Sequence, residues 1–212
     1  MKVRAPWERV VWLVRHGESS WNARQLVQGQ ADAPGLTGRG ISQAQNVARL
    51  LAGEQVGAIR SSDLLRALQT AEPVAASLGL PVVTDRLLRE RSFGLAEGTG
   101  LRTLSPQLSG IRYGRVVDAD ASPPGGESIR ELYARAVRIV EALQGHPEPG
   151  DVVLITHGGM VRALLALLVG TGPEGMPWLA IENGLVVRRV VPGNAVKPPP
   201  ESSRRIADGA LR

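Results

Sequence analysis

The chain contains no cysteine. That excludes a disulfide scaffold, a thiolate nucleophile and any Cys-ligated zinc or iron–sulfur centre, and it fits a reducing, cytoplasmic setting. Aromatic residues make up only 3%, which leaves few platforms for stacking nucleic-acid bases. Lysine is nearly missing. Lys2 and Lys197 are the only lysines among 25 basic residues, so arginine carries the formal charge of +5 and the pI of about 10.6. Long apolar runs are absent too. Ala163–Val169 is far short of the roughly 20 residues a membrane helix needs. Val10–Val14 is cut off at Arg15, too soon for the core of a secretory signal. The expectation is a cytoplasmic protein with neither membrane nor nucleic-acid partner.

What is present is 212 residues of 43% hydrophobic composition, enough for one α/β domain with a sizeable core. The abundant arginine has three explanations. Genomic base composition accounts for it without any function. Anionic substrates account for it because a guanidinium fork matches phosphate oxygens. A nucleic-acid track fits worst, because the arginines are scattered along the chain.

Short β-branched runs alternate with helical periodicity. Val10–Val14, Val56–Arg60, Pro81–Thr84, Asp151–Ile155 and Gly184–Val191 are predicted strands. Thr37–Leu51, with Thr37 as N-cap, Leu64–Leu78, stopped by Gly79, Glu127–Leu143 and Met160–Val169 are predicted helices. The pattern predicts an α/β fold: a three-layer α/β/α sandwich around a mixed, mostly parallel central sheet. Thr99–Gly126, rich in Gly, Ser and Pro, shows no clear element and is expected to form an excursion over the ligand-binding rim. The tail from Pro192 to Arg212 reads as extended. The domain is therefore placed at residues 1–191 and the Pro/Ser/Arg-rich tail at 192–212.

In such sheets ligands bind beyond the carboxyl ends of the strands. Three predicted strands end in polar clusters: Arg15-His16, Ser61-Ser62-Asp63 and Thr156-His157. The fold would bring them to one rim. A lone histidine after a strand is usually a buried structural residue. Here His16 and His157 occupy equivalent strand ends and each precedes a glycine, which allows close backbone approach to a ligand. His146, before Pro147 in a polar turn, is expected to be exposed and inert. Histidine is nucleophilic near neutral pH and can accept a phosphoryl group. Such a site needs fixed positive charge around the transferred oxygens, and Arg15 and Arg66 are candidates.

Val14-Arg15-His16-Gly17-Glu18-Ser19, followed by Trp21-Asn22, resembles the signature of the histidine phosphatase superfamily, which includes phosphoglycerate mutase-like proteins. The similarity continues in order through Gly29-Gln30-Ala31-Asp32, Leu36-Thr37, Ser61-Ser62-Asp63-Leu64, Arg66-Ala67, Leu88-Arg89-Glu90, Gly126-Glu127-Ser128 and Thr156-His157-Gly158-Gly159. The resemblance implies roles. His16 would be the phosphorylated nucleophile, and Arg15, Arg66 and His157 would hold the phosphoryl oxygens. Glu90 would be the proton donor to the leaving group and later the base that activates water. Asn22, with Ser19, Gln28, Gly29 and Gly158, would complete the phosphate- and substrate-binding set. No metal and no cofactor are implied. The partner expected is a small phosphorylated metabolite, and a homodimer is the one assembly left open.

Within the family the sequence sides with the phosphatases. Phe93 stands where the mutases carry Tyr, Glu97-Gly98 resembles the W-E-G of the phosphatases, and Gly158-Gly159-Met160-Val161 departs from the mutase pattern after the second histidine. Ala96 departs from the phosphatases, which usually carry Trp there. The expected activity is hydrolysis of small phosphate monoesters. The alternatives are a cofactor-dependent phosphoglycerate mutase and a non-catalytic phosphate-binding module.

Overall fold

The computed structural model describes residues 9–145, 150–176 and 180–191; His146 and the tail from residue 192 lie outside them. In chain order the strands and α-helices are β1 (Arg9–Arg15), α1 (Ser20–Ala23), α2 (Gly38–Leu51), β2 (Val56–Ser61), α3 (Leu65–Leu78), β3 (Val82–Thr84), α4 (Pro106–Ser109), β4 (Ile111–Arg112), β5 (Arg115–Val116), α5 (Ile129–Gly145), β6 (Asp151–Thr156), α6 (Gly158–Leu168) and β7 (Val186–Val191). Among the described residues no helix is long and apolar enough to cross a membrane.

β1 explains the architecture. Its side chains alternate between two faces, yet every residue from Val10 to Val14 is buried. Val10, Trp12 and Val14 pack with Val47, Leu51, Ala67 and Val74 from α2 and α3. Val11 and Leu13 join Leu132, Ile139, Leu164 and Leu167 from α5 and α6 on the other side. A strand with a core on both faces has no reason to alternate polar and apolar, so it reads as an unbroken hydrophobic run. The sheet order is β3-β2-β6-β1-β7. β3, β2, β6 and β1 are mutually parallel, and β7 closes the edge antiparallel to β1. The expected three-layer, mostly parallel fold is the fold observed.

The strand register aligns the site. Arg15 pairs with Thr156 across β1 and β6, and Ser61 pairs with Ile155 across β2 and β6. The His16 amide donates to the Thr156 carbonyl at 2.9 Å, and the Ser62 amide to the Ile155 carbonyl at 2.9 Å. Three parallel strands therefore stop at one level, with β6 in the middle. Their next residues, His16, His157 and Ser62, emerge side by side.

Helix boundaries agree closely with the sequence pattern. Thr37 caps α2, its Oγ1 accepting from the Gly40 amide at 3.1 Å, and Gly79 ends α3 in the left-handed conformation. Four expectations need correction. α5 spans Ile129–Gly145 rather than Glu127–Leu143, because Ser128 precedes its first turn and accepts from the Glu131 amide at 3.1 Å. α6 begins at Gly158 rather than Met160, because the two glycines form its first turn. β7 begins at Val186 rather than Gly184; Gly184 has φ +75 and turns its amide back to the Arg15 carbonyl. The 99–126 excursion is not devoid of structure, since it contains α4 and the β4–β5 hairpin.

Gly17 shows how tightly the rim is packed. A Cβ there would sit 2.3 Å from the Gly40 carbonyl oxygen, a backbone atom in the first turn of α2. Gly17→Ala should therefore destabilise the fold by about 1–3 kcal/mol, the usual penalty for overpacking. Gly38→Ala, at a position with nothing within 4 Å of the added carbon, should be neutral or stabilising by up to about 1 kcal/mol. Urea unfolding of both variants measures the contrast. Equal stabilities would mean that the turn after β1 is not pinned against α2.

Candidate active site

His16 is buried, 2% exposed, and its ring centroid lies 5.0 Å from that of His157. His16 Nδ1 is 2.7 Å from the Gly17 carbonyl oxygen. A carbonyl only accepts, so this bond assigns the ring proton to Nδ1 and leaves the lone pair on Nε2. Gly17 is fixed in turn: its amide donates to Thr70 Oγ1 at 3.0 Å, and that hydroxyl donates to the Arg66 carbonyl at 2.7 Å. From the far side, Asn183 Nδ2 donates to the His16 carbonyl and to Asn22 Oδ1, both at 3.1 Å.

His157 is fully buried and caps α6. Its Nε2 lies 2.8 Å from Ser62 Oγ. That oxygen also accepts from the Leu64 amide at 3.3 Å. His157 Nδ1 is buried without a hydrogen-bond partner. Arg15 Nε and Arg66 Nε are buried and unpartnered in the same way. The terminal nitrogens of Arg66 are committed, donating to the Ala31 and Gly29 carbonyls at 2.8 Å each. Arg15 Nη1 donates to the Ile181 carbonyl. Arg66 is thus anchored by both outer nitrogens and Arg15 by Nη1, and each keeps its inner N–H unspent.

The electrostatics reflect this crowding. Burial, then Arg66, then Arg15 hold His16 well below the ordinary histidine value. Burial, followed by Arg66 and His16, does the same to His157. Burial pushes Arg66 down to about 10, against the pull of Glu90 and Glu97. Both imidazoles are therefore neutral at physiological pH.

Glu90 is aimed by a separate clamp. Arg135 of α5 donates to the carbonyls of Leu87, Arg89 and Glu90 at 2.7–2.9 Å, and it pairs with Glu127. Arg89 forms a two-point pair with Asp63 at 2.6 Å. The Glu90 carboxylate then accepts from the Arg91 amide at 2.8 Å and from the Gly159 amide at 3.0 Å. A Cβ on residue 159 would lie 2.2 Å from Glu90 Oε1, so glycine is what lets this carboxylate approach the first turn of α6. At Gly158 an added Cβ would lie 3.5 Å from both Arg15 Nε and Arg162 Nη1.

Arg15, Asn22, Gln28, Gly29, Glu90 and Arg162 are among the residues lining a cleft of about 180 Å³. Ser19 is buried beneath it, donating to Gln28 Oε1 at 2.6 Å and capping α1 together with Asn22. Of the ten sequence-derived site residues, Arg15, Asn22, Gln28, Gly29 and Glu90 line this cleft, His16, His157, Arg66 and Ser19 are buried, and Gly158 opens α6 directly after His157. Sequence reasoning left out Ser62, Thr70, Arg135, Asn183 and Arg162. Ser62 stands inside the Ser61-Ser62-Asp63-Leu64 motif, and Thr70 lies one helical turn after Arg66. Arg135 carries no local signal beyond a polar position on a helix, and Asn183 none beyond the turn before the last strand.

Residues 11–195 match the family model described as histidine phosphatase superfamily (branch 1). A protein named probable phosphoglycerate mutase GpmB, from Yersinia pestis, is 39% identical over 174 residues, 82% of this chain and 80% of its own length. The solved mycobacterial glucosyl-3-phosphoglycerate phosphatase in complex with VO3 superposes with a TM-score of 0.75 at 33% identity, covering 85% of this chain and 90% of that one. A phosphoserine phosphatase from Entamoeba histolytica, in complex with 3-phosphoglyceric acid, gives 0.72 at 27%, covering 85% and 89%.

The depressed histidines predict an acid sensitivity. A group whose folded pKa is lowered binds fewer protons in the native than in the unfolded state, so stability falls as pH drops through the unfolded value near 6.5. Each of His16 and His157 should contribute a slope of up to about 1.4 kcal/mol per pH unit from there down to its folded pKa. Denaturant unfolding at pH 7.5, 6.5 and 5.5 measures it, and His16→Asn should flatten the dependence. A stability unchanged between pH 7.5 and 5.5 would contradict neutral, buried imidazoles.

Proposed function

The chain belongs to the histidine phosphatase superfamily (branch 1), and on that premise we propose that it hydrolyses small phosphate monoesters through a phosphohistidine on His16, without a metal. The observation that carries the reading is the set of unpartnered buried nitrogens around a neutral histidine: the Arg15 Nε and Arg66 Nε donors, and His157 Nδ1, which in the proposed reaction carries the ring proton, beside His16, whose Nε2 holds its lone pair. Buried donors without partners are rare in folded proteins. Phosphoryl oxygens would satisfy all three at once, and the charge-assisted bonds would strengthen as charge develops on them.

In the first step His16 Nε2 attacks phosphorus, the P–O bond to the ester oxygen breaks, and the leaving oxygen takes a proton from the Glu90 carboxylic acid. The ring, now phosphorylated on Nε2 and protonated on Nδ1, is positive, and the Gly17 carbonyl at 2.7 Å holds that proton. In the second step water attacks phosphorus while the Glu90 carboxylate takes its proton. The N–P bond breaks, inorganic phosphate leaves, and both groups return to their starting states. The cysteine-free composition fits our placing of this reaction in the cytoplasm.

A second reading is a phosphoglycerate mutase, favoured by the name of the 39%-identical relative. The names of the two solved structures favour the phosphatase, as do Phe93 and Gly158-Gly159 in this sequence. With 3-phosphoglycerate and catalytic 2,3-bisphosphoglycerate, the protein should release inorganic phosphate or do nothing. Efficient interconversion of the 2- and 3-phosphate isomers would establish the mutase instead.

Glu90 provides the sharper test of mechanism. An alkyl leaving group needs a proton, whereas a nitrophenyl leaving group does not. Glu90→Gln should slow phosphorylation by an alkyl phosphate about 10²–10⁴-fold, the range for loss of a general acid, and leave the nitrophenol burst nearly intact. Gly159→Ala should show the same asymmetry in weaker form, because its methyl displaces the Glu90 carboxylate. Equal slowing of both esters in rapid-quench experiments would remove Glu90 from the acid role.

A further inference from the structure

Beyond its phosphoryl end the cleft changes character. Phe93, Leu101, Ile111, Ile129, Leu132 and Met176 form its wall. They come from the 93–103 segment, the β4–β5 hairpin, the start of α5 and the chain before β7, four separate pieces that each present an apolar side chain.

The polar lining residues gather at the phosphoryl end or are engaged elsewhere. Arg15 and Glu90 are committed to the phosphoryl group in the proposed reaction. Asn22 and Gln28 are tied by their carbonyl oxygens to the Ser19 turn, which Asn183 joins to His16. Arg91 is 3% exposed, and its guanidinium nitrogens donate to the carbonyls of Glu127, Ser109 and Ala121 at 2.6–2.9 Å. Arg162 lies beside Arg15, as the shared 3.5 Å approach to Gly158 shows, so it too belongs to the phosphoryl end. Leu101 lines the cleft and is still 51% exposed, which leaves apolar surface wetted at the wall.

We propose that this cleft selects phosphate monoesters of apolar alcohols, alkyl or aryl, over esters of polyols and hydroxy acids. The proposal rests on the phosphatase reading for its chemistry but on the wall alone for its selectivity. Along this wall a polyol would surrender its hydration to side chains that return no hydrogen bonds, whereas a hydrocarbon group would displace water from a surface that holds it weakly.

Primary n-alkyl phosphates isolate the effect, because chain length changes hydrophobicity while leaving-group basicity stays nearly constant. From ethyl to hexyl phosphate kcat/KM should rise by about fourfold per methylene, the factor for burying one such group, and glucose 6-phosphate and 3-phosphoglycerate should fall below butyl phosphate. n-Alkylphosphonates, whose C–P bond is not hydrolysed, should bind in calorimetry with the same dependence on length. Leu101→Gln, at a half-exposed position where folding is not at stake, should flatten both series at the longer chains. Phosphonate affinity that ignores chain length overturns the proposal, as does a sugar phosphate that outruns hexyl phosphate. Phosphonates that bind with the expected slope while no ester turns over would keep the cleft assignment and remove the phosphatase reading, so the two failures are distinct.

Discussion

Burying two guanidinium groups beside two imidazoles is the constraint around which the site is organised. Each positive charge loses water on burial, and each lowers the proton affinity of its neighbours. The fold meets this by anchoring the outer guanidinium nitrogens to backbone carbonyls: Arg66 to Gly29 and Ala31, Arg15 to Ile181. Those same bonds hold the 29–31 loop and the 181–184 turn against the rim. The charge that would attract an anion is therefore also what assembles the walls around it. Both histidines are kept neutral by the same pressure, which is the state a nitrogen nucleophile requires.

The second requirement is space. A carboxylate has to reach the rim where three strands and a helix N-terminus already converge. It reaches it because residue 159 has no side chain, and because Arg135 and Arg89 fix the backbone on either side of Glu90. Gly17 against Gly40 solves the corresponding problem for the turn that carries His16. These glycines are set by close approach rather than by flexibility.

Much of this was legible in the sequence, for a physical reason. A strand buried on both faces announces itself as a β-branched run, and two such runs ending in His-Gly become neighbours once the sheet is parallel. Val10–Val14 and Asp151–Ile155 sufficed for that. Local caps such as Thr37 and Gly79 are encoded within one turn of the residues they serve, so those boundaries were readable. Contacts made between distant segments were not. Arg135 gathers three carbonyls from 40 or more residues away, and Asn183 reaches His16 across 167 positions. Nothing near either residue marks it. The 99–126 excursion was expected to cross the rim but showed no element, because its hairpin has two-residue strands, too short to produce an alternating pattern. Its contribution to the cleft, Leu101 and Ile111, became visible only in the folded chain.

The claim on which everything else depends is that His16 itself takes the phosphoryl group. It is tested by mixing the protein with a hydrolysable phosphate ester, quenching under alkaline conditions within the first turnover, and locating the phosphate by peptide mass spectrometry. The account predicts an acid-labile, alkali-stable phosphoryl group on His16, formed and lost at rates compatible with turnover, and absent together with turnover in His16→Ala. Phosphate found on another residue, or turnover that persists in His16→Ala, would contradict it.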